Sequence, residues 1–270
     1  MKLLLVLMAL ACRELVTPDW KQIVSRPFRG WCDLVQDMGK TRVQNDVLML
    51  ALVLLGPLLV LAILLLSMGE HGVLGFWQLM VTAIVVIPVF MDRQLPSVLI
   101  ACRQEWLNIT TVEFPEERLN QARRELLLAH LRELFTPLFW FLMTGPVLLL
   151  GYYLCRLMME RARSNEARLL AAQAVSLMDW LPSRVLGVSF ALAGEFREVW
   201  VYLQETFQDS RMNLEDFLVN AARRAEIIGS GDDLKNPLVL LGQLSQYESL
   251  CTRSLVIWLV LLTLHFILPF

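Results

Sequence analysis

Apolar positions in this chain gather into long unbroken runs. Val47 to Leu66 is twenty residues without a charge or a polar side chain. As a helix rising about 1.5 Å per residue, such a run covers about 30 Å, the thickness of a hydrocarbon core. Gly56-Pro57 lies near its middle and predicts a kink. A second run, Val73 to Met91, is nineteen residues long, with Gln78 and Thr82 as its polar members and Trp77 as an interfacial anchor. The third, Leu134 to Cys155, carries Gly145-Pro146 in mid-run and Trp140, Tyr152 and Tyr153 towards its ends. The last, Ser254 to Phe270, has seventeen residues and lengthens backwards if Arg253 snorkels. The pattern predicts an all-α, polytopic helical membrane protein with about four transmembrane helices.

The connections read as amphipathic helices. Pro115 with Glu116-Glu117 opens one, followed by Leu119, Ala122, Leu126, Ala129 and Leu134 at helical spacing. Arg156 to Met178 reads as a continuation of the third run, rich in arginine (Arg156, Arg161, Arg163, Arg168). Asn213 with Asp216 signals a helix start, and Gly229 a stop, so that Gly229 to Asp233 forms a turn. Lys2 and the apolar residues up to Cys12 imitate a signal peptide, but are expected to form a short helix packed on the bundle or lying in the interface. No alternation of period two marks a set of strands. The expected organisation is one integral membrane domain over 1–270, with a helical connection at 92–133 and a helical extramembrane or interfacial region at 154–253.

Composition strengthens this picture: 56% of residues are apolar and only 19% charged, where soluble domains hold about 45–50% and about 25%. The balance of 24 basic and 26 acidic residues supplies no basic stripe for nucleic acid. The lipid bilayer is the partner this composition demands. Ser67 to Gly72 carries no Lys or Arg, whereas Met1 to Asp46 carries seven and Asp92 to Glu133 six. The positive-inside rule therefore puts the short hairpin outside and its flanks in the cytoplasm. Alternation would then send Leu154 to Arg253 outside, against the arginines at 156, 161, 163 and 168. Either the rule fails there, or Leu134 to Cys155 enters only partly and turns back near Gly145-Pro146.

Chemistry is sparse. Five cysteines are scattered without a C-x-x-C pair, and His71, His130 and His265 share no metal-ligand spacing. No metal site and no cofactor are expected. Gly229-Ser230-Gly231 lacks the residues of a phosphate loop. The glutamates at 105, 113, 116 and 117, with Arg123 and Arg124, read as a solvated face, and nothing assembles a catalytic set. One stretch departs from routine: Leu177-Met178-Asp179-Trp180-Leu181-Pro182-Ser183-Arg184, followed by Phe190-Ala191-Leu192-Ala193-Gly194. Asp179 and Arg184 are charges within about twenty mostly apolar residues, where pairing is the economical expectation. Pro182 predicts a helix break or a new helix start between them. Two readings stay open: a salt bridge pinning that break, or a polar cleft in which Asp179, Trp180, Pro182 and Arg184 bind an anionic ligand through the guanidinium.

Asp-Trp-x-Pro-x-Arg followed by Ala-Leu-x-Gly resembles the AmpE family, as do Pro137-Leu138-Phe139-Trp140, Gly151-Tyr152 ahead of an arginine, and the N-terminal run ending Arg13-Glu14-Leu15. The resemblance implies a multi-pass protein of the bacterial inner membrane, signalling in cell-wall recycling and β-lactamase induction, and hence in antibiotic resistance. Its ligand would be an anionic cell-wall-derived molecule or a nucleotide. The wider resemblance, to the CobD/CbiB enzymes of cobalamin assembly, implies as an alternative a membrane enzyme that forms an amide with nucleotide and Mg²⁺. Their early His-Pro segment has Thr17-Pro18 in its place here, and the region ahead of the Pro-x-Arg motif reads Ala171 to Leu177. Those departures favour the regulatory reading over the enzymatic one.

Overall fold

The computed structural model describes residues 18–42, 46–67, 73–91, 116–206, 213–226 and 237–267, and all of them but short turns are helical. In chain order the elements are α1 (Pro18–Arg42), α2 (Asp46–Ser67), α3 (Val73–Met91), α4 (Glu116–His130), a π-helical turn (Leu131–Phe135), α5 (Thr136–Thr144), α6 (Pro146–Arg161), α7 (Asn165–Ala193), α8 (Phe196–Thr206), α9 (Leu214–Ala225) and α10 (Pro237–Ile267). Met1 to Cys12, Pro115, His71 and the turn at Gly229 lie outside the described residues. The chain divides into two compact units. One holds α1–α3, α5, α6 and α7 up to Asp179; the other holds α4, the π turn, α7 from Trp180, and α8–α10.

Among the described residues two helices are long and apolar enough to cross a membrane, Asp46–Ser67 and Asn120–Thr144. In α2 only 11% of the apolar window is buried, and Leu55, Leu59, Val60, Ile63 and Leu66 point outwards. An apolar surface of that extent marks a membrane or partner contact. The last run is part of the longer helix α10, Pro237–Ile267, and His265 lies in its final turn.

Within the first unit the third run is not a single helix. Its helix ends where the Gly145 amide donates to the Phe141 carbonyl at 3.0 Å, and Gly145 then takes φ 79, ψ −158, a region essentially reserved for glycine. Pro146 starts the next helix, as suits a residue with no N–H to satisfy. The chain reverses here: Thr136 and Tyr152 flank the turn, and their hydroxyls reach the same oxygen of Asp179, at 2.8 and 3.0 Å. Sixteen residues of straight helix would hold them about 24 Å apart. The run therefore folds as a helix hairpin made of α5 and α6. Gly145→Ala should cost about 1–3 kcal/mol, the scale of a forced glycine-only conformation, seen as a lowered midpoint in thermal unfolding.

Continuity from Arg156 to Met178 is corrected too. α6 stops at Arg161, and Ala162 to Ser164 form a turn before α7. The Ser164 hydroxyl accepts from the Glu166 amide and donates to Asp46, which satisfies the new N-terminus. Arg161 and Arg163 pair with Asp33 and Asp37 on α1, and Gln36 accepts from the Arg163 amide. The arginine-rich turn therefore sits against α1.

Pro182 does not break its helix. α7 runs unbroken through it, as α2 does through Pro57. A proline strips the carbonyl four residues earlier of its donor. Those carbonyls are Met178 and Val53, and an indole meets each: Trp140 Nε1 donates to Met178 O and Trp31 Nε1 to Val53 O, both at 3.2 Å. Gly56 leaves room for the second indole, since a Cβ there would lie 2.8 Å from the Trp31 ring. Pro137 is accommodated otherwise, by the preceding π turn, in which the ordinary helical donor is not required.

In the second unit α8 and α9 pack as amphipathic partners, with Tyr202 stacked on Phe217 and Arg224 over Tyr202. α9 begins after Asn213, as its sequence signals, although Asn213 makes no side-chain cap. Gly194 permits the close approach of Ala225, whose carbonyl accepts from the Glu195 amide at 2.9 Å. On α10, Trp258 donates to Ser189 at 2.7 Å and packs edge-on to Phe135. Arg253 bonds to Glu226 and to the Ala193 carbonyl.

Candidate functional site

Asp179 is fully buried, as are the two hydroxyl donors that hold it, Thr136 on α5 and Tyr152 on α6. One carboxylate oxygen thus ties both arms of the hairpin to α7. Beside it Tyr152, Cys155 and Val175 form a buried apolar cluster, with Leu54, Ala174 and Met178 packed against it. Hydrogen bonds to a carboxylate are stronger than neutral ones and offset part of the cost of burying the charge. Trp140 closes the same region through its bond to Met178 O, one residue from Asp179.

Arg184 belongs to the second unit and is its largest fully buried side chain. Its guanidinium carbon lies 3.8 Å from the Phe217 ring centroid and 5.6 Å from that of Trp180. A planar, weakly hydrated cation tolerates such aromatic faces where a lysine would not. Gly187, one turn on, faces Phe217 and Leu203 at contact distance. Trp180 is part-buried and Pro182 buried within the helix. Asp179 thus accepts from two hydroxyls, and Arg184 lies over two aromatic rings.

Sequence reasoning named Asp179 but not Thr136 or Tyr152 as its partners. Trp140 and Tyr152 were already conspicuous as residues carrying the family resemblance, and folding brings both to Met178-Asp179. Cys32 on α1 is buried, and burial, with Asp33 beside it, pushes its thiol up to about 11. Among the described residues no group of His, Cys, Asp and Glu is arranged to hold a metal ion.

The described residues define a helical protein with a long, apolar, exposed helix and with charged residues buried in its interior. Residues 97–224 match the family described as regulatory signalling modulator protein AmpE. That region, which includes Asp179, Trp180, Pro182 and Arg184, is similar to the AmpE family. No curated protein and no solved structure matches this sequence.

Proposed function

We propose that the protein is a multi-pass regulator of the bacterial inner membrane that adjusts β-lactamase induction in response to cell-wall recycling. The observation that carries this reading is the family match over 97–224. α2, α3 and the end of α10 are its crossings, and the α5–α6 hairpin enters and leaves on one side. The positive-inside rule supports a cytoplasmic side for that hairpin's ends, because the arginine turn at 161–164 sits against α1, itself in the basic N-terminal stretch. The Asp179 to Arg184 segment is the responsive element, through an anionic ligand or a partner protein recognised by the guanidinium.

The direct test compares induction of a chromosomal β-lactamase by a β-lactam in cells with and without the protein. An unchanged induction ratio would overturn the regulatory reading. Arg184→Gln, at normal membrane abundance, is expected to reproduce the deletion. Topology is tested separately: Glu160→Cys in a cysteine-free variant should resist an impermeant thiol reagent in intact cells and label after permeabilisation.

A further inference from the structure

A groove of about 500 Å³ opens in the second unit between α4 and α9, lined by Asn120, Gln121, Arg124, Glu125, Leu128 and Glu215. Its volume falls within the usual range for small-molecule sites. Its polar groups are of three kinds. Glu125 and Glu215 bring negative charge. Arg124 brings one positive charge, with Nη2 donating to Asp216 at 2.7 Å. The amides of Asn120 and Gln121 are half committed: Asn120 Oδ1 accepts from Arg123 at 3.1 Å, and Gln121 Nε2 donates to Glu125 at 3.0 Å. Asn120 thus keeps its NH₂ donors and Gln121 its carbonyl acceptor, the complement of a peptide unit.

We propose that this groove binds a short zwitterionic peptide. Its ammonium group meets Glu125 and Glu215, its carboxylate meets Arg124, and a backbone amide bridges Asn120 and Gln121. Residues 120 to 128 extend about 12 Å along the helix. An extended tripeptide reaches about 10 Å, whereas a single amino acid falls far short. A purely anionic ligand would face the two glutamates and be repelled.

Trialanine is the probe, titrated calorimetrically into the full-length protein in detergent. Saturable binding is expected, weakened about tenfold or more by N-acetylation of the peptide, the scale of one lost charge-assisted contact. Glu215→Gln should weaken it similarly while leaving thermal unfolding unchanged. In Arg124→Gln, amidating the peptide should weaken binding no further, because the carboxylate has already lost its partner. No saturable binding of trialanine, or binding indifferent to N-acetylation and to Glu215→Gln, would overturn the proposal. Neither result bears on β-lactamase induction, so this inference stands or falls apart from the regulatory reading.

Discussion

Asp179→Ala is expected to destabilise the protein by about 2–6 kcal/mol, about 1–3 for each buried hydroxyl it leaves without an acceptor. Thr136 and Tyr152 are fully buried and donate to one Asp179 oxygen, so a single truncation strands both arms of the hairpin. Asp179→Asn keeps an acceptor at that oxygen and should lose far less. Thr136→Val and Tyr152→Phe should fall between, because each removes one donor and leaves the carboxylate the other. The ordering Ala, then the single-donor variants, then Asn is the diagnostic, read from denaturant unfolding in detergent. If alanine proves no worse than asparagine, the carboxylate does not hold the hairpin.

This tie explains which parts of the fold the sequence could disclose. Val47 to Leu66 announces its helix outright, because twenty apolar residues leave a backbone in lipid no alternative to internal hydrogen bonding. The helix starting at Glu116 and the helix after Asn213 were likewise legible from local capping chemistry. Pro182 was misread because its local effect is real but is answered from elsewhere: Trp140, thirty-eight residues upstream of Met178, supplies the missing donor. Gly145 was recognised as an interruption, yet its positive φ, which turns an interruption into a reversal, is set by how α5 and α6 meet on α7. The site followed the same rule. Two charges in apolar sequence advertise Asp179 and Arg184, whereas a threonine and a tyrosine become partners of Asp179 only when the hairpin closes.

The paired indoles give the second large effect and a way to isolate its cause. Trp31→Phe removes the donor to Val53 O, together with the indole atoms Cζ2 and Cη2 that lie over Gly56. It should cost about 1–3 kcal/mol, since the carbonyl freed by Pro57 is left without its replacement. Pro57→Ala restores a backbone N–H four residues after Val53, so the indole becomes dispensable. In that background Trp31→Phe should cost about 1 kcal/mol less than in the native protein, a coupling a double-mutant cycle resolves. Trp140→Phe should behave likewise through Met178 O, and with a larger penalty, because the loss falls one residue from the buried Asp179. Equal costs for Trp31→Phe with and without Pro57 would mean that the tryptophan acts through packing alone. The carbonyl account would then fail at α2, and Trp140 would have to be judged by its own cycle with Pro182.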